Sequence, residues 1–537
     1  MRKQTWFFLI FLAGILACTS KSEQQEPRYF TYNRFDGIPT LDPAFARNQA
    51  TTWACHHLYN GLVQLENDLT LKPSIASAWQ VSDDGLQYTF FLRDDVYFHD
   101  HELFESKAER KVTAEDVVFS FNRILDPEVA SPGAWIFNNK VADKQPFIAV
   151  NDSTFQLNLK QPFNPILGIL SMQYCSIVPK KIVTHYGKDF RNHPVGTGPF
   201  QFQLWEEGEV LLLNKNTDYF EKDNQDQHLP YLAGVRILFY VDKGLEYIKF
   251  MQGELDYISD LDPAFRNEML TREGVLHSKL SQDIRLLKSP YLNTEYIGFL
   301  LNDATKAYSD KRIRLAINYG IDRKKMLTFI RNNIGSPATA GMVPVGMPNF
   351  DHAQIKGFDY NPEKAKALLE EAGYPGGQGL EPLVITTISN YADWAVSIQE
   401  QLAELGIPIK IEIVQSSFLR EMMRKSDGLD LFRASWIADY TDPENYLSLF
   451  YGGNGAPPNY TRFQNDAFDA LYLNAAGETN VNKRQEFYQQ LDQIIVNEAP
   501  IIPLYYDEVL SFSHQNISGM FSHPMNILDL KRVAIED

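Results

Sequence analysis

The sequence predicts an α/β protein with several domains, because the chain is long and its second half alternates regularly between helices and strands. Between residues 361 and 434, stretches with helical periodicity alternate with β-rich stretches, as in βαβ units around a parallel sheet. The 537 residues leave room for about three domains. With 44% hydrophobic and 22% charged residues, the chain can form large cores, and disordered, collagen-like and coiled-coil organisations are excluded.

The N-terminal segment has the features of a secretory signal. Two basic residues precede an uncharged apolar run over residues 6–16, which is too short to span about 30 Å of hydrocarbon as a helix. The residues that follow, up to Cys18, resemble a bacterial lipoprotein box together with the end of the run, which implies lipidation of this cysteine. The alternative is an ordinary secretory signal with an incidental cysteine. We expect residues 1–17 to be a signal peptide and residues 18–27 a tether. The lipid would hold the mature chain on the periplasmic or cell-surface face of a membrane.

The first half of the mature chain predicts a mixture of helices and strands. Residues 53–65 favour a helix ended by Gly61. At Thr113 a capping hydroxyl precedes two carboxylates and an apolar face, which predicts a helix N-terminus. Alternating and β-rich stretches predict strands at residues 88–93, 154–159, 210–214 and 235–240.

The second half predicts a parallel sheet with a site at one edge. Asn361 and Pro362 give the capping and first-turn residues of a helix. Further helices are predicted at residues 393–405 and 418–425, and strands at 383–388, 407–414 and 429–434. Ligands of parallel sheets bind beyond the carboxyl ends of the strands. Trp436, Asp439 and the turn at Pro443 follow the last strand, so we expect the site there.

The sequence shows no catalytic or metal-binding motif. The net charge of -18, from 50 Lys and Arg against 68 Asp and Glu, repels phosphate backbones, so we expect no nucleic-acid partner. The sequence lacks a Walker loop, a G-x-S-x-G elbow and an H-E-x-x-H motif, and Gly196–Pro199 is interpreted as a tight turn. On a helix, His56 and His57 would point about 100° apart and could not easily share a metal. We therefore expect no enzymatic activity, cofactor or metal.

The cysteines leave two possibilities open. If Cys18 carries lipid, Cys55 and Cys175 remain. They can form one disulfide in an oxidising compartment or stay as two buried thiols, and their sequence positions do not decide between these states.

A set of short motifs occurs in a fixed order along nearly the whole mature chain. The longest is Ser77–Arg93. The others lie at residues 41–44, 113–117, 196–200, 253–256, 312–317, 321–323 and 372–374. Together they resemble the family-5 extracellular solute-binding proteins, the peptide-binding subunits of ABC transporters.

The resemblance implies a two-lobed α/β clamp, periplasmic-binding-protein-like (type II, cluster C), with an inserted subdomain. Two hinge crossings are expected near residues 275–285 and 500–506. The implied function is that of an extracytoplasmic, monomeric subunit that captures short peptides between its lobes and delivers them to an ABC permease. The implied parts are residues 28–62, 186–278 and 503–537 for lobe I, 63–185 for the inserted subdomain and 279–502 for lobe II.

Residues 433–440 most resemble the oligopeptide- and dipeptide-binding branch. This resemblance implies that Asp439 binds the α-ammonium of a peptide and that Arg433 can meet its carboxylate. Trp436 would form the wall of a side-chain pocket. The other residues implied to line the cleft are Ser435 and Ile437, beside backbone that would pair with the peptide as an added strand, and Tyr291 and Asn293 near the hinge.

Structural roles remain open for these residues. Arg433 could neutralise Asp430 or another acid, Trp436 could pack in the core, and Asp439 could cap a turn before Pro443.

Two departures from the family pattern leave the length and the side-chain preference of the peptide open. Arg47 stands where oligopeptide binders carry an acid, and Gly133, with Trp135 nearby, replaces an aromatic, which would enlarge or reshape a pocket. Within the clamp class, the alternative is a non-peptide solute, such as an oligosaccharide or a chelated metal. An extracellular hydrolase is favoured less, because no nucleophile–base pair stands at a recognised spacing. A structural or adhesion lipoprotein is the third possibility.

Overall fold

The computed structural model describes residues 28–259 and 261–536. The predicted signal peptide (residues 1–17) and the tether with Cys18 lie outside the described residues. Across the described ranges, no helix combines the length and the apolar character needed to cross a membrane.

The described chain contains strands and helices in an interleaved order. The strands are β1 (Tyr29–Asn33), β2 (Val63–Leu65), β3 (Leu71–Pro73), β4 (Ala76–Val81), β5 (Gln87–Leu92), β6 (Phe147–Asn151), β7 (Thr154–Asn158), β8 (Phe200–Glu206), β9 (Val210–Lys215), β10 (Gly234–Leu238), β11 (Tyr257–Ser259), β12 (Ile284–Phe299), β13 (Ser336–Pro337), β14 (Leu383–Thr387), β15 (Ile409–Ile413), β16 (Leu431–Ile437), β17 (Ile501–His514), β18 (Ile517–Ser518) and β19 (Ala534–Ile535). The α-helices are α1 (Gln49–Leu58), α2 (Ala114–Leu125), α3 (Ile166–Ile169), α4 (Lys180–Tyr186), α5 (Lys243–Met251), α6 (Pro263–Met269), α7 (Lys311–Tyr319), α8 (Arg323–Arg331), α9 (Pro362–Glu371), α10 (Ala392–Ala403), α11 (Ser416–Lys425), α12 (Glu444–Leu447), α13 (Asp466–Gly477) and α14 (Val481–Glu498).

One large mixed sheet runs through both lobes. Its strand order is β15-β14-β16-β12-β17-β11-β1-β10-β9-β8, and β13 adds to β17. The strands β11, β1, β10, β9 and β8 form the sheet of lobe I, and β15, β14 and β16 form that of lobe II. The strands β12 and β17 lie between these two groups and belong to both.

The strands β12 and β17 connect the lobes. They contain 16 and 14 residues, so each spans about 45–55 Å. They pair antiparallel from Ile284–His514 to Gly298–Ile501, with register shifts between Pro290 and Thr294 and between Glu295 and Tyr296. The irregular segment therefore lies inside β12, beyond the crossing expected at residues 275–285.

Lobe II contains the predicted βαβ array. The strand β14 pairs parallel with β15 and with β16, which confirms the parallel arrangement. Successive side chains of a strand point to opposite faces. Leu431 accordingly packs with Ile385 in one core, and Phe432 packs with Tyr446 in another. The side chain of Asn361 accepts a hydrogen bond from the N–H of Lys364 at 2.9 Å, as expected for the cap of α9.

A second sheet has the strand order β4-β5-β7-β6. Along the chain, its strands come after β1 and before β8, which both belong to the large sheet. The helix α2 covers the second sheet, and Phe121 contacts Phe147 and Phe155 with ring centroids 5.4 and 5.5 Å apart. At the start of α2, the Asp116 carboxylate accepts hydrogen bonds from the backbone N–H of Thr113 at 3.0 Å and from its hydroxyl at 2.8 Å. The predicted helix N-terminus is confirmed.

The first helix has other boundaries than the sequence predicts. It begins at Gln49, before residue 53, and ends at Leu58 and not at Gly61, and residues 63–65 form a strand. The N–H of Gly198 donates a 2.9 Å hydrogen bond to the carbonyl of Leu58. The turn at Gly198 thus supplies a hydrogen-bond donor for a backbone carbonyl at the end of the helix. This contact joins residues 140 positions apart, so a local sequence pattern does not predict it.

The cysteine question is resolved in favour of two thiols. Cys55 and Cys175 are both buried and free. Their thiols lie 3.9 Å from the carbonyl of Leu41 and 3.6 Å from that of Ile169, respectively.

We predict that Gly198→Ala lowers the free energy of unfolding by about 1–3 kcal/mol, the usual cost of overpacking. A Cβ at this position would lie 2.4 Å from the carbonyl carbon of Leu58 and 2.5 Å from the carbonyl oxygen of His57, and neither backbone atom can move aside easily. Urea denaturation measures the change. Gly477→Ala is the control, because its Cβ meets nothing within 4 Å. Equal stability of the two variants would contradict the prediction.

Candidate functional site

Asp439 lies two residues beyond the end of β16, at the edge of the sheet where the parallel strands of lobe II end. Its carboxyl group is half-buried. Desolvation raises its pKa to about 6, and a side-chain hydrogen bond with Asn445 acts in the opposite direction. Asp439 is therefore a carboxylate that has lost much of its water and would gain from a cationic partner.

Asn445 holds the residues at the end of β16 in place. This buried amide accepts a 2.9 Å hydrogen bond from the indole N–H of Trp436 and a 3.2 Å hydrogen bond from the backbone N–H of Asp439. Trp436 also packs against the core of lobe II. The side chain of Asn445 thus holds both Trp436 and the backbone of Asp439 in position.

The edge of β16 is partly unpaired near Asp439. On one side, β16 pairs with β12 along its whole length, from Leu431 to Ile437. On the other side, its register with β14 includes only Leu431 and Phe432. The backbone from Arg433 to Ile437, which includes Ser435, is therefore open to an added strand on that side. Ile437 is 47% exposed.

Tyr174 belongs to the part of the chain that follows the second sheet, and its side chain lies within electrostatic reach of Asp439. Burial raises the pKa of Tyr174 to about 12, the charge of Asp439 adds to this rise, and Arg47 opposes it. The ring of Tyr174 rests on Gly133, where a Cβ would lie 2.4 Å from its Cδ1. The space at Gly133 is therefore filled by Tyr174, and the glycine does not enlarge the pocket. Trp135 is 38% exposed.

Further contacts close the gap between the lobes beside this acid. A Cβ at Gly168 would lie 3.5 Å from the Cβ of Tyr440. Tyr440 is buried in the core that contains the inserted sheet. The amide of Asn164 donates a 2.7 Å hydrogen bond to the carbonyl of Glu478. The two sides are thus in contact at Tyr440, the residue that follows Asp439, and at Glu478.

Arg433 has an acidic partner within the protein. Its guanidinium donates to a Glu295 carboxylate oxygen at 2.5 Å and lies 3.6 Å from the ring centroid of Tyr391. Asp430 pairs with Lys306 at 2.7 Å instead. Of the two roles considered for Arg433, pairing with a nearby acid is present, and the acid is Glu295.

The Glu295–Arg433 pair belongs to a polar network at the crossing of the lobes. The amide of Asn293 donates to Glu295 and to Asp507, at 3.3 Å in each case. Asp507 also accepts a 2.6 Å hydrogen bond from Arg331. Burial raises the pKa of Glu295, while the charge of Arg433 lowers it. The network links β12, β16, β17 and α8.

Tyr291 lies near the same gap. Burial raises the pKa of Tyr446, and the charges of Tyr291 and Asp439 both add to this rise. Tyr291 also lines a cavity of about 250 Å³ with Arg331 and Asp507. A second cavity of about 510 Å³ lies at the carboxyl ends of β14 and β15, along the sheet edge that leads to Asp439.

The structure brings together the predicted residues Trp436, Asp439 and Tyr291, whereas Arg433 and Asn293 belong to the network at the crossing. Sequence reasoning missed Glu295, Tyr391, Asn445 and Tyr174. Only Asn445 carried a local signal, because it stands in the helix start after the turn at Pro443.

Across the described ranges, no group of three or more His, Cys, Asp or Glu side chains is placed to hold a metal ion.

Two lobes joined by two long strands, with a desolvated carboxylate between them, define a ligand-binding clamp. The family model of the bacterial extracellular solute-binding proteins, family 5, matches residues 70–458, and this chain belongs to that family. The family consists of solute-binding proteins and not of enzymes, as the sequence predicts.

Curated relatives cover most of the chain. The glutathione-binding protein GsiB of Salmonella paratyphi A is 27% identical over 493 residues, 90% of each chain. The heme-binding protein A of Haemophilus influenzae is 29% identical over 487 residues, 87% of this chain and 85% of the relative.

Solved structures confirm the two-lobed fold. The periplasmic binding protein DppA from Helicobacter pylori, in complex with the peptide STSA, has a TM-score of 0.75 and 26% identity over 95% of this chain and 98% of its own. HbpA2 from Haemophilus parasuis has a TM-score of 0.82 and 25% identity over 95% and 100%.

We predict that Glu295→Gln destabilises the protein by about 3 kcal/mol at pH 7, because it leaves Arg433, whose side chain is only 15% exposed, without its counter-charge. Thermal and urea denaturation measure the loss. Glu421→Gln, which breaks the exposed pair with Arg424, is the control and should change stability little. A Glu295 variant as stable as the control would show that the pair contributes nothing.

Proposed function

We propose that this protein is the peptide-binding subunit of an ABC importer, which captures short peptides between its lobes and delivers them to a permease. It acts outside the cytoplasm as a monomer, held on the membrane by a lipid on Cys18. The net charge of -18 argues against a nucleic-acid partner.

The observation that carries this proposal is the position of Asp439 beside an open strand edge. A peptide has a backbone that can pair with residues 433–437 and an α-ammonium that can pair with the Asp439 carboxylate. A charge-assisted hydrogen bond of this kind contributes about 1.5–3 kcal/mol net. A single site therefore matches both invariant features of a peptide N-terminus.

Lobe closure follows from the same contacts. A ligand that touches Asp439 and Trp436 on one lobe and the region of Tyr174 on the other binds the closed arrangement better than the open one. The population shifts by this difference in affinity. The permease would then meet mainly closed, loaded protein.

The relatives are consistent with a ligand that has a free ammonium. DppA is named with a peptide and GsiB with glutathione. The alternative ligand is a non-peptide solute, such as an oligosaccharide or a chelated metal. The heme-binding relative keeps this class of ligand open. Native mass spectrometry of freshly purified protein separates these by the mass of a retained ligand.

We predict that Asp439→Asn weakens the binding of alanine peptides of two to five residues by roughly tenfold or more, because the α-ammonium loses its charged partner. Calorimetry gives the Kd. Asp427→Asn, at an exposed position of the same lobe, is the control and should bind like the wild type. Unchanged affinity in Asp439→Asn would remove this residue from the site. Binding of hemin or oligosaccharides and of no peptide would refute the peptide proposal.

We predict that peptide affinity falls about tenfold between pH 7 and pH 5. With a pKa of about 6, Asp439 is mostly ionised at pH 7 and mostly protonated at pH 5. The α-ammonium stays protonated throughout, since its ordinary pKa is about 8. Binding at pH 5 must therefore release a proton from Asp439. Calorimetry in buffers of different ionisation enthalpy measures this release. The dependence should disappear in Asp439→Asn, and its persistence there would assign it to another group.

A further inference from the structure

Arg47 belongs to the wall that faces the end of β16. It follows the short turn Pro43–Phe45, which packs against the turn Gln173–Cys175. The hydroxyl of Ser131 donates a 2.6 Å hydrogen bond to the carbonyl of Ala44 and so ties this loop to the inserted region. The loop that carries Arg47 is thus fixed beside Tyr174.

The positive charge of Arg47 is available. Two neighbouring arginines are neutralised, Arg123 by Asp42, with a closest distance of 2.5 Å, and Arg191 by Glu207. Arg47 is exposed and has no carboxylate within ion-pair distance among the residues the structure describes. It borders a cavity of about 770 Å³ whose lining residues come from segments 39–48, 123–132 and 183–191.

Arg47 and Asp439 act on the same phenol. The pKa of Tyr174 is raised by Asp439 and lowered by Arg47, so both charges lie within electrostatic reach of this side chain. The other charged residues that line the cavity next to Arg47 are Asp42, Arg123, Asp126, Glu128, Lys188 and Arg191. The loop before Arg47 packs against the turn that carries Tyr174, and the charges of Arg47 and Asp439 both act on the Tyr174 side chain.

We propose that Arg47 selects ligands whose first residue carries a carboxylate in addition to its free ammonium. This inference rests on the proposed function. Asp439 binds the ammonium, and the guanidinium of Arg47 binds the carboxylate, for which its planar fork is suited. Peptides that begin with Asp or Glu have this chemistry, and so do γ-linked glutamyl peptides, which carry both charged groups at the α-carbon.

The test uses the full mature chain and alanine peptides of the length that binds best, with the first residue replaced by Glu, Gln or γ-linked Glu. Calorimetry should show the Glu or the γ-Glu peptide binding roughly fivefold or more tightly than the Gln peptide. Comparison of the Glu and γ-Glu peptides shows which carboxylate position Arg47 accepts.

In Arg47→Gln the preference for the glutamyl peptides should disappear, while the Gln peptide keeps its affinity. In Arg47→Glu a peptide that begins with Lys should bind better than the Glu peptide. Lys188→Gln, which removes another cation of the same cavity, should keep the wild-type preference.

The outcomes separate this inference from the proposal beneath it. Binding of the Gln peptide with no preference for either glutamyl peptide would overturn the role of Arg47 and leave the peptide-binding function intact. A preference that survives in Arg47→Gln would also overturn it. Failure of all three peptides to bind would refute the peptide function, and this inference with it.

Discussion

The pairing of β12 with β17 is the constraint on which the rest of the molecule depends. These two strands carry the sheet from one lobe into the other, and their register shifts lie where the lobes meet. The Glu295–Arg433 and Asp507–Arg331 ion pairs lie at the same level. They keep charged groups of β12, β16 and β17 neutralised in a desolvated region, where an unpaired charge would be costly.

The charges around the gap between the lobes fall into two groups. At the crossing, acids and bases already have partners in the protein, so they contribute to the stability of the clamp. At the end of β16, Asp439 is held by an amide, Asn445, which does not neutralise it. Desolvation by burial raises the pKa of Asp439, and among the described residues no cation forms an ion pair with it. A ligand ammonium could supply the counter-charge, and on this basis we propose Asp439 as the recognition group, whereas Glu295 already has a cationic partner within the protein.

The shape of the site also depends on two positions that pack on each other. The ring of Tyr174 lies directly on Gly133, where a Cβ would lie 2.4 Å from its Cδ1. The partner comes from a separate turn 41 positions further along the chain, so position 133 alone could not show which of the two expected effects, an enlarged or a reshaped pocket, would follow from the glycine. The same contact brings Tyr174 close to both Asp439 and Arg47.

The sequence by itself determined the elements whose signals are local. The caps at Asn361 and Thr113, the strands β14, β15 and β16, and the position of Asp439 beyond the last of them all follow from residues close together in the chain. Only the tertiary structure decided that Gly198 donates a hydrogen bond to the last carbonyl of the first helix, that Glu295 neutralises Arg433 across 138 positions, and that the two cysteines stay apart. Hydrogen bonds and ion pairs act over about 3–4 Å. The choice among the many acids of this chain is therefore made by strand register and lobe packing, which no short stretch of sequence contains.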